Sequence, residues 1–117
     1  MKKVEIQKEL LYIGIKPSLK GFDYIATAIE LYDVNKKLTD LYIQVAEKYN
    51  TKASRVERAI RNAKELMLND NIETLEERIC KKYGVDKVIP DKFTNGDFIA
   101  FMKFAIENME ASHDSNN

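Results

Sequence analysis

From Leu38 to Tyr49 the apolar residues Leu38, Leu41, Tyr42, Val45, Ala46 and Tyr49 recur at the i, i+3, i+4, i+7 spacing that gathers them on one face of a helix. Asn50-Thr51 interrupts the run. Asn is one of the few non-glycine residues that tolerates a left-handed backbone, and Thr51 is a suitable N-cap for a following helix. The apolar period then resumes at Ala53, Val56, Ala59, Ile60, Ala63 and Met67, with small alanines that allow two helix backbones to cross closely.

The same period predicts four more helices. One spans roughly Lys3 to Tyr12 and stops before Gly14 and Pro17, because the residue preceding a proline is pushed out of the helical region. The next runs from about Gly21 to Asp33 with Phe22, Ile25, Ala28, Ile29 and Tyr32 inward. After the central pair, a helix capped by Asn71 and ended by Gly84 carries Ile72, Leu75, Ile79 and Tyr83 on one face. Val85 to Phe93 reads as a loop, and Thr94 or Asn95 opens a last helix with Phe98, Met102, Ala105, Ile106 and Met109 as its buried stripe and Phe101 and Phe104 beside it. Residues 111–117 are polar and are expected to form a flexible tail. The expected fold class is all-α: a compact six-helix domain over residues 1–110 containing a helix-turn-helix.

At about 100° per residue, the side of the second central helix that faces away from its apolar stripe carries Ser54, Arg58, Arg61, Asn62 and Glu65, flanked by Arg55 and Glu57. Arginine can pair bidentately with O6 and N7 of guanine, and a glutamate can accept a hydrogen bond from N4 of cytosine, so this mixture suits the major groove of double-stranded DNA. Lys52, Ser54 and Arg61 suit phosphates, which orient a helix without reading sequence. On an isolated helix such a face is ordinarily just solvated. Its place directly after a helix and a tight turn points instead to DNA.

Overall charge alters little, because Lys+Arg and Asp+Glu both number 19. Its distribution matters more: between Lys48 and Lys64 stand six basic residues against one acid, Glu57. A positive patch on a neutral body supports a salt-sensitive grip on DNA. A 117-residue chain with 44% hydrophobic residues accommodates one core. No apolar run is long enough for a membrane span, and the N-terminus lacks a secretory signal, so a cytoplasmic protein is expected. An enzyme is not: His113 is the only histidine and lies in the expected tail, Cys80 is the only cysteine and reads as a packing residue, and the four glycines are isolated. No metal site or cofactor is expected, since the acidic run from Asp70 to Glu77 lacks the spacing of a calcium loop.

The words Ile13-Gly14-Ile15-Lys16-Pro17, Leu19-Lys20-Gly21-Phe22-Asp23-Tyr24, Ala46-Glu47-Lys48-Tyr49-Asn50-Thr51 and Ala53-Ser54-Arg55-Val56-Glu57-Arg58-Ala59-Ile60-Arg61 closely resemble the C-terminal effector domain of the stage-zero sporulation response regulator family, transcription factors of sporulation in endospore-forming bacteria. Phe93 to Ala100 is similar to the opening of that family's last helix, with Lys92-Phe93 in place of Lys-Pro and Gly96-Asp97 in place of Ser-Glu. The resemblance implies binding to a TGTCGAA-type box, often by two domains in tandem. It implies base contacts from Arg55, Glu57 and Arg58 and backbone contacts from Ser54, Lys52 and Arg61. Asn62 departs from the histidine common there, and Met67 to Asn71 replaces an aromatic-Ser-Arg-Gly word in the neighbourhood that faces the RNA polymerase sigma subunit. The family's receiver domain has no counterpart in these residues, which fits either a stand-alone paralogue or an excised domain.

Two functional classes follow. In the first, the protein is a sequence-specific DNA-binding transcriptional regulator, alone or as a tandem homodimer. In the second, it is an interaction module that pairs with or antagonises the full-length sporulation regulator, with DNA binding secondary. Arg55, Glu57 and Arg58 favour the first, whereas the neutral net charge and altered sigma-facing segment suit the second.

Overall fold

The computed structural model describes residues 1–70, 72–86 and 89–115, with side chains as far as Ser112. Its helices are α1 (Lys3–Ile13), α2 (Lys20–Leu31), α3 (Leu38–Lys48), α4 (Ala53–Asp70), α5 (Ile72–Tyr83) and α6 (Asn95–Ser115), and no strand occurs among the described residues. The expected six-helix, all-α architecture is therefore present. Asn71, expected to cap α5, lies outside the described residues, as do Lys87 and Val88 of the expected loop.

Helix ends follow local chemistry. α1 stops where Gly14 turns left-handed at φ 98° and its N–H, with that of Ile15, closes onto the carbonyls of Leu11 and Leu10. α6 is capped by Thr94, whose Oγ1 accepts a hydrogen bond from the Asp97 N–H at 3.1 Å. It continues to Ser115 rather than ending at Glu110, so residues 111–115 of the expected tail are helical, and Asn116 and Asn117 lie outside the described residues. Past Asp97 the sequence offers no glycine or proline to stop the helix.

α2 forms the axis of the domain, touching α1, α3, α4 and α6. Phe22, Tyr24, Ile25, Ala26, Thr27, Ala28 and Ile29 are all buried, so the one-sided stripe expected for this helix is replaced by burial nearly all round. Tyr32, expected inward, instead caps the helix and is only partly buried. In α6 Ile99 is fully buried although it lay outside the expected stripe, Met109 is only partly buried, and Phe104 is exposed. Ile72 of α5 is also exposed, while Leu75, Ile79 and Tyr83 are core. Phe93, in the segment before α6, packs edge-on against Phe98 and Phe101 and joins the core from what the sequence marked as a loop.

One polar group is buried on the far side of this core. Glu9 accepts a hydrogen bond from the Tyr83 hydroxyl at 2.6 Å and pairs with Lys82 at 2.9 Å. Burial, followed by the hydrogen bond to Glu9 and its charge, pushes the Tyr83 phenol far above its ordinary range, so it remains a donor. The pair ties α5 to α1 and keeps the buried carboxylate satisfied.

Candidate nucleic-acid interface

The turn between α3 and α4 is a Schellman motif. Asn50 adopts φ 53°, the sole non-glycine residue at positive φ among the described residues. Its N–H reaches the Glu47 carbonyl at 3.3 Å, and the Thr51 N–H reaches that of Ala46 at 2.9 Å. The cap of α4 is Lys52 rather than Thr51, because the first helical bonds, from Arg55 and Val56, end on the Lys52 carbonyl.

Tyr49, just before the turn, is more than the core residue its spacing suggests. Its hydroxyl shares a hydrogen bond with Thr27 Oγ1 at 2.7 Å and accepts one from Lys3 Nζ at 2.6 Å, while its ring tilts against Tyr24 at 5.1 Å. These contacts tie the turn to α2 and to the start of α1. The sequence carried no sign of them, since the partners lie 22 and 46 residues away.

α4 faces inward through Val56, Ile60, Ala63 and Met67, with Ala53 and Ala59 partly buried at the edges. Lys52, Ser54, Arg55, Arg58, Arg61 and Asn62 are exposed, and Glu57 is partly buried. The seven residues singled out in the sequence thus share one end of one helix, with its apolar stripe turned away from them. Arg61 is engaged with Glu57 at 2.7 Å, one turn apart. Half-exposed i, i+4 pairs contribute only about 0.3–0.5 kcal/mol, so this one can be exchanged for another partner at little cost.

Lys64 behaves differently from the other cations in the run. It is 5% exposed, and desolvation draws its pKa below the ordinary lysine value, so the outward-facing patch consists of Lys48, Lys52, Arg55, Arg58 and Arg61. Lys64 lines a cleft of about 590 Å³ between α4 and the segment leading into α6, together with Tyr42, Glu57, Arg61, Phe93 and Asn95. Asn95, read from the sequence only as a helix opener, is buried here. Its amide nitrogen donates to Tyr42 Oη at 3.0 Å and to the Glu57 backbone carbonyl at 3.1 Å. Burial raises the Tyr42 phenol above its usual pKa against the opposing effect of the Asn95 bond, so the hydroxyl remains neutral.

No group of His, Cys, Asp and Glu able to hold a metal ion occurs among the described residues, and no helix among them is long and apolar enough to cross a membrane. The surface offered by α4 is a cationic, hydrogen-bonding ridge on a rigid helix, a shape that enters a groove rather than encloses a small molecule. Comparison with protein families agrees with this geometry. Residues 6–106, all of α1 to α5 save the first turn of α1 and more than half of α6, match the family described as Sporulation initiation factor Spo0A C terminal, and the chain belongs to that family of DNA-binding transcription regulators.

Proposed function

We propose that the protein binds a TGTCGAA-type box in duplex DNA by laying α4 in the major groove, with Arg55, Glu57 and Arg58 reaching base edges and Lys52, Ser54 and Arg61 on the phosphates. The observation that carries this reading is the exposed arginine face of α4, directly after the Asn50 turn, on a helix whose opposite face is core. Asn62, exposed on the same face, flanks the base-reading residues. A second domain bound in tandem, contact with the RNA polymerase sigma subunit and action in the cytoplasm belong to the same proposal, on the strength of the family alone.

Fluorescence anisotropy of the protein on a box duplex and on a scrambled duplex, over a salt series, tests it. Box-selective binding that weakens as salt rises is expected. Equal, weak binding to both would reject it and favour the interaction-module reading, with the full-length sporulation regulator as the partner to titrate next.

Arg61→Ala has a separate signature. The residue is 47% exposed and already shares its charge with Glu57. Its loss should weaken box and scrambled duplexes alike and reduce the salt slope by about one counterion. A loss confined to the box would place Arg61 on a base instead.

A further inference from the structure

We infer that Asn95 is a positioning residue for base recognition: its side-chain amide sets the rotation of α4 relative to α3, and with it the register of Glu57 and Arg58 on DNA. This rests on the reading of α4 given above. Asn95 is 7% exposed and stands at the first position of α6, yet its Nδ2 bonds to one residue of each helix of the helix-turn-helix. The partners lie 53 and 38 positions back in the chain. Because one of them is a backbone carbonyl, only the nitrogen can face it, which decides the orientation of the amide. The carbonyl belongs to Glu57 itself, next to Arg58 and one turn before Arg61.

The other half of the same amide points to geometry rather than stability as its role. Asn95 Oδ1 is buried and has no hydrogen-bond partner among the described residues. A buried acceptor left unmade opposes folding, and an apolar side chain at this position would avoid that loss. What an apolar side chain cannot do is hold the Glu57 carbonyl and the Tyr42 hydroxyl at a set distance from each other. Bidentate base pairing depends on such placement, whereas phosphate contacts tolerate a rotated helix.

The test is the ratio of box to scrambled affinity for the parent, Asn95→Ala, Asn95→Asp and Tyr42→Phe, each measured well below its own melting temperature. Asn95→Asp preserves shape and can accept from the Tyr42 hydroxyl, but its carboxylate cannot donate to the Glu57 carbonyl and repels it, so it should lower the ratio about tenfold, as should Asn95→Ala. Scrambled-duplex affinity and the salt slope should stay within about twofold of the parent. Tyr42→Phe removes one partner oxygen and keeps the packed ring, so it should lower the ratio about threefold and remains informative where an Asn95 variant fails to fold. An unchanged ratio in folded Asn95 variants, or in Tyr42→Phe where those variants do not fold, would overturn the assignment. So would box and scrambled affinities that fall together with the folded fraction. A parent with no box preference is a different result: the reading of α4 then fails first and takes this assignment with it.

Discussion

Gly21→Ala is expected to destabilise the domain by about 3 kcal/mol, the upper part of the range for forced overpacking. An ideal Cβ at position 21 would lie 2.4 Å from the Ala59 carbonyl oxygen and 2.8 Å from Ala63 Cβ. The nearer obstacle is backbone, so no side-chain rotation relieves it, and α2 must move away from α4. Alanine gains up to about 1 kcal/mol over glycine in helix propensity, which the clash outweighs. Urea unfolding should show the loss as a lowered midpoint with an unchanged slope, and heating as a drop in Tm of about 10 °C or more. Gly21→Ala combined with Ala63→Gly should recover only part of the stability, since the Ala59 carbonyl remains in place. Stability within about 0.5 kcal/mol of the parent would mean that the crossing of α2 and α4 is looser than described. DNA binding gives a second readout, because the displaced helix is the one that carries the arginines.

Arg58→Ala should cost about 1–3 kcal/mol at the box, roughly 5- to 150-fold in affinity, and much less on scrambled DNA. Arg58 is exposed on α4, has no salt bridge among the described residues, and sits beside the Glu57 carbonyl that Asn95 holds. A free guanidinium on a fixed helix has little to give up before it meets a guanine edge. The expected signature is a box-specific loss with an unaltered salt slope, accompanied by relaxed preference at one base pair. Competition with duplexes varied one position at a time would identify that pair. If Arg58→Ala binds the box as tightly as the parent, base reading belongs to another face of the domain. The contrast with Arg61→Ala, which should weaken every duplex alike, separates reading from gripping on adjacent turns of one helix.

Much of this molecule was legible in its residues. The apolar period located all six helices, and Gly14, Asn50 and Gly84 marked helix ends, each at positive φ in the structure. These features depend on residues within a turn or two of one another: cap chemistry, left-handed tolerance and the choice of face are local properties. The exposed face of α4 was readable for the same reason, since an apolar stripe dictates what lies opposite it.

Other features needed the packed chain. α2 shows an ordinary stripe, but only the arrangement of α1, α3, α4 and α6 around it buries its remaining sides. Lys64 looks like its basic neighbours, and burial against the segment before α6 separates it from them. Gly21 could have been a turn residue; its contact with Ala59 and Ala63 makes it the point where two helices touch. Asn95 had the sequence context of a cap, whereas Thr94 caps α6 and Asn95 joins α3 to α4. The helices, most of their ends and the cationic face of α4 are thus written locally in the chain, because each follows from side chains a few residues apart. Packing of the whole chain settled that Gly21 admits a crossing helix, that Lys64 loses its water and that the Asn95 amide bridges α3 and α4, because those depend on atoms brought together from distant parts of the sequence.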